Sequence, residues 1–186
     1  TIGRISLVLR ERALPGFFVM ASLHTLAYTI RGFLESGWLI ETGAANGDEA
    51  NEGTRFVDRG RSLATRLADD IIAGRLAGFY RPDWSAATES QCLTGLAQMS
   101  LAWMRMARHG EPRFLEAAEQ ALDALLAAQS LDGGRPELRG AVAGSSPVWG
   151  LYLPYRYPEW AAKFAADAYM ERLALDGMRR REAQGP

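Results

Sequence analysis

A repeated loop segment is the feature of this sequence that most restricts its fold. Residues 74–84 read GRLAGFYRPDW and residues 140–149 read GAVAGSSPVW. Both follow the pattern G-x-(Leu/Val)-Ala-Gly, then a short gap, then Pro-x-Trp. The predicted helices around the two loops also correspond, with starts near residues 22, 88 and 159. The repeat unit is therefore a helical hairpin of roughly 70 residues, which buries its apolar face against neighbouring units.

Hydrophobic periodicity predicts an all-α chain with five clear helices. We expect helices over residues 22–38, 48–73, 88–108, 112–130 and 159–175, with part of another over residues 4–12. Stop signals at Gly43, Gly110 and Gly177 and start signals at Pro112 and Pro158 set several of these ends.

The stripes of these helices indicate two kinds of environment. One side of the predicted third helix carries small and neutral residues, namely Thr88, Gln91, Thr94, Gly95, Gln98 and Ala102. Helices two and four instead carry plain surface charges, namely Arg59, Arg66, Asp70, Glu116 and Asp123. The first and third helices are thus expected to be enclosed on both sides, and the second and fourth to be half exposed. An inner and an outer ring of helices would produce this pattern.

Three blocks of the chain resemble bacterial α/α-toroid proteins. They are HTLAYTIRGFLESG (24–37), CLTGLAQMSLAWMR (92–105) and GSSPVWGLYLPYRYPEWAAKFAADAYM (144–170). The toroids concerned are of the terpenoid cyclase and protein prenyltransferase type or the six-hairpin glycosidase type. The resemblance extends over most of residues 22–176 and is linked to uncharacterised proteins of polysaccharide biosynthesis. It is specific for the fold and weak for the reaction, because one fold hosts many chemistries.

The resemblance implies a single all-α domain over residues 1–186, with hairpins at about 22–84, 85–149 and 150–186. Five helices make only about half of a closed ring. We expect a missing N-terminal half or a second copy of the chain to complete it, because large exposed apolar edges are rarely left uncovered. Since the sequence begins with Thr1, we also expect it to be a processed form or a piece of a longer protein.

Composition excludes several classes of function. With 48% hydrophobic residues and a net charge of −1, the chain can bury a core and offers no basic surface for nucleic acid or an anionic membrane. The most apolar window, residues 14–30, falls short of the ~20 residues of a membrane span. Cys92 is the only cysteine, and His24 and His109 are the only histidines. We therefore expect a cytoplasmic protein with no metal site and no cofactor.

A polar stripe on the first helix is the leading candidate site. At ~100° per residue, His24, Tyr28, Arg31 and Glu35 fall on one line. The alternative explanation is a solvated face held by contacts such as Arg31 with Glu35. On an inner helix the stripe would face the cavity instead. There His24 or Tyr28 could transfer protons and Arg31 could bind a carboxylate.

Aromatic residues crowd the second repeat loop. Tyr152, Tyr155 and Tyr157 have no counterpart in the first loop and are candidates for stacking on sugar rings. Trp149 is a further candidate for substrate binding. Its repeat equivalent is Trp84, and the alternative is that both fill gaps between hairpins.

Three residues near the start of the predicted third helix complete the candidate set. Gln91 and Gln98 are candidates for substrate binding on its neutral side. Glu89 is a possible catalytic acid, although its place in a first helical turn is a sufficient structural reason for a carboxylate. Glu35 and Glu89 are the only plausible members of a glycosidase carboxylate pair.

We expect a carbohydrate-processing protein that acts by acid/base chemistry on a neutral or anionic glycan, as a hydrolase, lyase or epimerase. Two alternatives stay open: a terpenoid-cyclase-like toroid and a non-catalytic scaffold module of polysaccharide biosynthesis. The terpenoid alternative requires an acidic cluster elsewhere, because LADD over residues 67–70 lacks the extended acidic spacing.

Overall fold

The computed structural model describes residues 20–44, 46–131 and 135–184. Helix accounts for 67% of the described structure and strand for 6%, which confirms the all-α prediction. The five long helices are α1 (Leu23–Gly43), α2 (Gly47–Ile72), α3 (Leu93–Arg108), α4 (Leu115–Ala128) and α5 (Glu159–Gln184). Short 3-10 turns cover Pro112–Phe114 and Pro136–Leu138. The helix expected over residues 4–12 lies outside the described residues.

Four two-residue strands pair around the repeat loops. They are β1 (Ala21–Ser22), β2 (Phe79–Tyr80), β3 (Gln91–Cys92) and β4 (Ser145–Ser146). Strand β1 pairs with β2 and β3 pairs with β4, both antiparallel. Each pair ties the start of α1 or α3 to the loop that follows the next helix, so the two hairpins are closed in the same way.

The two repeat loops make equivalent hydrogen bonds. Gly78 accepts from the backbone of Leu23, and Gly144 accepts in the same way from Leu93. Gly78 also donates to Ser90, and Gly144 donates to Arg156. Both loops begin with a glycine of positive φ, Gly74 at 69° and Gly140 at 82°, a conformation that favours glycine. These contacts fix the repeat register: Leu23 corresponds to Leu93, and Ser90 corresponds to Arg156.

The helices pack in two layers. Helix α3 lies between α1 and α5, while α2 packs behind α1 and α4 behind α3. All residues of α3 except Arg105, Ala107 and Arg108 are buried. Helices α1 and α5 therefore flank α3, and α2 and α4 complete its enclosure. We call α1, α3 and α5 the inner helices and α2 and α4 the outer helices. Glycines permit close approach here, because a Cβ on Gly95 would lie 2.6 Å from the backbone nitrogen of His24.

Several predicted helix ends were wrong. Helix α3 begins at Leu93 and not at residue 88, because Gln91 and Cys92 are held extended by their pairing with β4. The Cys92 thiol instead accepts from the backbone of Gly95 and caps the helix. Helix α1 continues to Gly43 rather than ending at residue 38.

Helix α5 continues through Gly177 to Gln184, well beyond the predicted end at residue 175. An interior glycine costs about 1 kcal/mol relative to alanine, which a long packed helix can tolerate.

One predicted surface charge is buried. Asp70 on α2 is only 5% exposed. Its carboxylate accepts from the Tyr80 hydroxyl at 3.5 Å and lies 3.4 Å from Arg75 and 3.5 Å from Arg66. Burial raises the pKa of Tyr80 to about 12. Asp70 therefore joins α2 to the repeat loop rather than facing solvent.

Candidate functional site

His24 and Gln98 form the centre of a polar cluster where α1 and α3 come closest. His24 lies in the first turn of α1, and its Nδ1 is 2.7 Å from Oε1 of Gln98. Gln98 is fully buried. An amide oxygen can only accept a hydrogen bond, so Nδ1 donates, and Nε2 of the neutral imidazole keeps its lone pair. This arrangement suits His24 to accept a proton at Nε2.

Aromatic rings surround the imidazole. The ring centroid of His24 lies 4.8 Å from that of Tyr28, 5.5 Å from Tyr152 and 6.1 Å from Phe164. The Tyr152 hydroxyl accepts from the indole nitrogen of Trp160 at 3.2 Å. The cluster thus combines residues of all three inner helices with one tyrosine of the second repeat loop. These rings offer flat apolar faces with polar edges.

Two buried polar atoms of α3 lack a hydrogen-bond partner among the described residues. They are Oγ1 of Thr94 and Nε2 of Gln98, one helical turn apart on α3. Thr94 lies close enough to the Tyr152 hydroxyl to oppose the rise in its pKa, but the two hydroxyl groups do not meet hydrogen-bond geometry. Native proteins leave few buried donors unpaired, because each costs about 1–3 kcal/mol. A bound group that accepts hydrogen bonds would satisfy both.

Burial changes the acid–base properties of the cluster. Desolvation lowers the pKa of His24 below its usual 6.5, and the hydrogen bond with Gln98 opposes this only in part. The imidazole is therefore neutral at neutral pH. Burial raises the pKa of Tyr152, so its hydroxyl stays protonated. The buried Cys92 thiol has a pKa raised to about 11, which makes it a poor nucleophile.

The repeat register explains how the cluster is built. The positions of His24 and Tyr28 on α1 correspond to Thr94 and Gln98 on α3 and to Trp160 and Phe164 on α5. Two equivalent positions on each of the alternate helices α1, α3 and α5 therefore supply the cluster.

Sequence reasoning missed Phe164. The repeat could have identified it, because the register that aligns Ser90 with Arg156 also makes Phe164 the repeat equivalent of Gln98.

The charged end of the predicted stripe has a different neighbourhood. Arg31 donates to Oε1 of Glu35 through Nε at 3.1 Å and Nη2 at 2.9 Å. Arg105 binds the same carboxylate oxygen from α3. Arg31 also lies 5.9 Å from the centre of the Phe164 ring. Both charged residues of the stripe are thus ion-paired, and a carboxylate ligand of Arg31 would have to compete with Glu35.

An ion-pair row continues across the three inner helices. Glu35, Arg105 and Glu171 occupy equivalent positions of α1, α3 and α5 in the repeat register. Glu171 also accepts from Arg108 at 2.6 Å. The row borders a cavity of about 290 Å³, in which the rings of Trp38 and His109 stack in parallel with their centres 3.9 Å apart.

The remaining predicted site residues stay outside the cluster. Trp149, Tyr155 and Tyr157 are 63%, 73% and 40% exposed, so of the loop candidates only Tyr152 contacts His24. Trp84, the repeat equivalent of Trp149, is instead half-buried against Tyr80.

Gln91 and Glu89 are not on a helix, contrary to the prediction. Gln91 lies in β3, and Glu89 is exposed ahead of it. The helix dipole therefore gives no reason for the carboxylate of Glu89.

The two candidate carboxylates are far apart along the inner layer. Glu35 contacts Arg105 in the last turns of α3, whereas Glu89 precedes the first residue of that helix. At 1.5 Å per residue the intervening helix separates them by roughly 20 Å. Glycosidase carboxylates lie within about 9.5 Å of each other, so Glu35 and Glu89 do not form such a pair.

Comparison with known proteins assigns no family and no function to this cluster. Within residues 20–44, 46–131 and 135–184, no helix has the length and apolarity to span a membrane. In the same residues, no three His, Cys, Asp or Glu side chains are grouped to hold a metal ion. The chain matches no protein-family model, no curated protein sequence and no solved structure.

Proposed function

We propose that this chain forms part of an α/α toroid and that the His24 cluster binds and processes a carbohydrate. The observation that carries the proposal is the convergence of one pair of inward positions from three consecutive inner helices on one site. A ring of hairpins directs such positions toward its centre. The two layers of helices and the equivalent closure of both hairpins support the ring, of which these helices make about half.

The chemistry of the cluster favours proton transfer next to a sugar carboxyl or carbonyl group. Nε2 of His24 acts as the base, and the orphaned donors of Thr94 and Gln98 stabilise the oxygen on which charge develops. Both donors are shielded from solvent, so the ligand has to displace a neighbouring ring. Tyr28, 51% exposed, is the ring most readily moved.

Elimination or epimerisation fits these groups better than hydrolysis. Both reactions begin when a base removes the proton on the carbon beside the carboxyl group, and His24 supplies that base. In elimination the electron pair of the broken C–H bond forms a carbon–carbon double bond, while the bond to the neighbouring glycosidic oxygen breaks and that oxygen leaves with a proton from the protonated imidazole or water. In epimerisation a proton from water returns to the opposite face of the same carbon. Hydrolysis would need a second carboxylate, and Glu89 lies roughly a helix length from Glu35. The substrate class is therefore a uronic-acid-containing glycan or its ester.

The test is incubation of the protein with uronic-acid oligosaccharides in deuterated water. Epimerisation incorporates deuterium at the carbon beside the carboxyl group, and elimination yields an unsaturated product that absorbs ultraviolet light. His24→Gln should abolish either signal, whereas Tyr155→Phe, an exposed position outside the cluster, should retain it. Absence of binding for all such oligosaccharides by calorimetry would refute the proposal.

A non-catalytic scaffold is the second candidate, favoured by one observation. Arg31 and Glu35 are both engaged in ion pairs, as residues of a purely structural face would be. A scaffold predicts that His24→Gln leaves the biological activity intact while surface substitutions disturb it.

A further inference from the structure

Helix α5 has an apolar outer face that resembles, position by position, the faces against which α2 and α4 pack. On α1, Leu34 lies against Gly60 of α2, and Gly37 lies against Val57. On α3, Ser100, which occupies the repeat position of Ile30 on α1, donates to the backbone of Ala118 on α4 at 2.9 Å. Outward positions of the first two inner helices are thus covered by an outer helix.

The repeat register transfers these positions to α5. Ala166 corresponds to Ser100, and Met170 and Leu173 correspond to the positions of Leu34 and Gly37. Met170 is 67% and Leu173 70% exposed. Ala166 and Ala162, which are also exposed, lie one and two turns before Met170. Among the described residues no helix covers this face, which we call the α5 outer face (Ala162, Ala166, Met170 and Leu173).

The order of side chains on this face is self-complementary. Two alanines precede two long aliphatic side chains, so an antiparallel copy would place Met170 and Leu173 of each helix over the alanines of the other. Such alternation of large and small residues is what close helix packing needs. The hairpin partners α1 and α2 are consecutive helices joined by a short turn, so antiparallel packing also reproduces the arrangement inside the repeat.

The charges at the two ends of α5 favour the same orientation. Glu159 is exposed at the first residue of the helix, and Arg179, Arg180 and Arg181 are exposed near its last turns. Antiparallel pairing places each acidic start beside the basic end of the partner, whereas parallel pairing would place like charges together. The macrodipoles also oppose each other in the antiparallel pair.

We propose that the α5 outer face binds the same face of a second copy of this chain in an antiparallel, two-fold symmetric helix pair. The second α5 takes the place that α2 and α4 occupy behind α1 and α3. This interface is independent of the proposed function, since it lies on the side of the inner layer opposite the His24 cluster.

Light scattering after size-exclusion chromatography tests the proposal on the full chain. The wild-type protein should have the mass of a dimer, and Met170→Glu should convert it to a monomer with an unchanged circular dichroism spectrum. Leu39→Glu is the matched control, because Leu39 on α1 is 74% exposed and lies outside this face. It should leave the dimer intact. A monomeric wild-type chain, or a dimer that persists in Met170→Glu, would overturn the proposal.

Crosslinking distinguishes the antiparallel pair from other dimers. A short bis-maleimide should link a chain carrying Ala166→Cys to a chain carrying Met170→Cys. A pair of chains carrying Glu159→Cys should stay unlinked, because antiparallel packing separates those ends. The native Cys92 is buried and stays unmodified in the folded protein. Linkage through Glu159→Cys at equal yield would show a parallel pair and contradict the proposed geometry.

Discussion

The two ends of the inner face differ in how their polar groups are satisfied. Near the starts of the inner helices, His24 and Gln98 share one hydrogen bond, and buried donors of Thr94 and Gln98 are left over. Near the other end, Glu35, Arg105 and Glu171 are linked by ion pairs. The same three helices thus build an unsatisfied cluster at one end and a row of satisfied ion pairs at the other. The unpaired donors are the reason why we propose the first end as the ligand site.

The largest expected effect comes from moving the two helices apart at the His24 cluster. A Cβ on Gly95 meets the backbone of α1, which cannot yield as a side-chain tip can. Gly95→Ala should therefore lower the free energy of unfolding by about 3 kcal/mol. Urea unfolding followed by circular dichroism measures this change. Gly32→Ala is the control, because nothing lies within 4 Å of its added Cβ, and it should be neutral or stabilising by up to about 1 kcal/mol.

A smaller effect is expected at the ion-pair end. Arg105→Met removes the ion pairs with Glu35 and Glu171. The side chain of Arg105 is 36% exposed. Because exposed pairs contribute little, the free energy of unfolding should fall by about 1 kcal/mol, and less at high salt. Oligosaccharide binding should not change. Arg59→Met, on the exposed face of α2, provides the comparison, and a loss of binding in Arg105→Met alone would move the ligand site to this end.

The pH dependence of stability separates the two ends further. Since the folded pKa of His24 lies below 6.5, the unfolded chain binds more protons between the two values. His24 therefore contributes stability that is complete above about pH 6.5 and is lost as the pH falls toward its folded pKa. Urea unfolding at several pH values should show this loss in the wild type and a smaller one in His24→Gln. Equal slopes for the two proteins would contradict a neutral, desolvated His24.

Gln98→Leu should have the smallest effect on stability and a clear effect on function. The substitution removes the His24 hydrogen bond but also an unpaired buried amide group, so the two contributions nearly cancel. We expect the free energy of unfolding to stay within about 0.5 kcal/mol of the wild type. Glycan turnover should fall at least about tenfold, the equivalent of one hydrogen bond in the site. Unchanged turnover would remove Gln98 from the mechanism.

The sequence predicts those parts of the fold that depend on local pattern. Periodicity and turn signals were sufficient for five helices, because an apolar stripe and a terminal glycine act within a few residues. The start of α3 was missed because Gln91 and Cys92 are held extended by β4, more than fifty positions further along the chain. Asp70 was placed on the surface for a similar reason, since its partner Tyr80 reaches it only after the chain has turned.

The candidate site follows the same division. The stripe from His24 to Glu35 could be identified on one helix, and so could its possible Arg31–Glu35 contact. The sequence could not show that the stripe divides into a partly unsatisfied end at His24 and an ion-paired end at Glu35, because this depends on the residues that α3 and α5 place opposite it. The spacing of the two repeat loops aligns Gln98 with Phe164, but the different spacing that aligns Tyr28 with Gln98 is evident only from the equivalent hydrogen bonds of Leu23 and Leu93.

The enclosure of α3 has a consequence for local opening of the protein. Helices α1, α2, α4 and α5 all pack on it, and its interior residues are buried on every side. No single hairpin can therefore detach without exposing α3. Its amide protons should exchange with solvent only when the whole chain unfolds, whereas those near the exposed end of α5 should exchange by local fraying. Hydrogen exchange would thus show that the helices unfold as one cooperative unit, although the sequence consists of successive repeats.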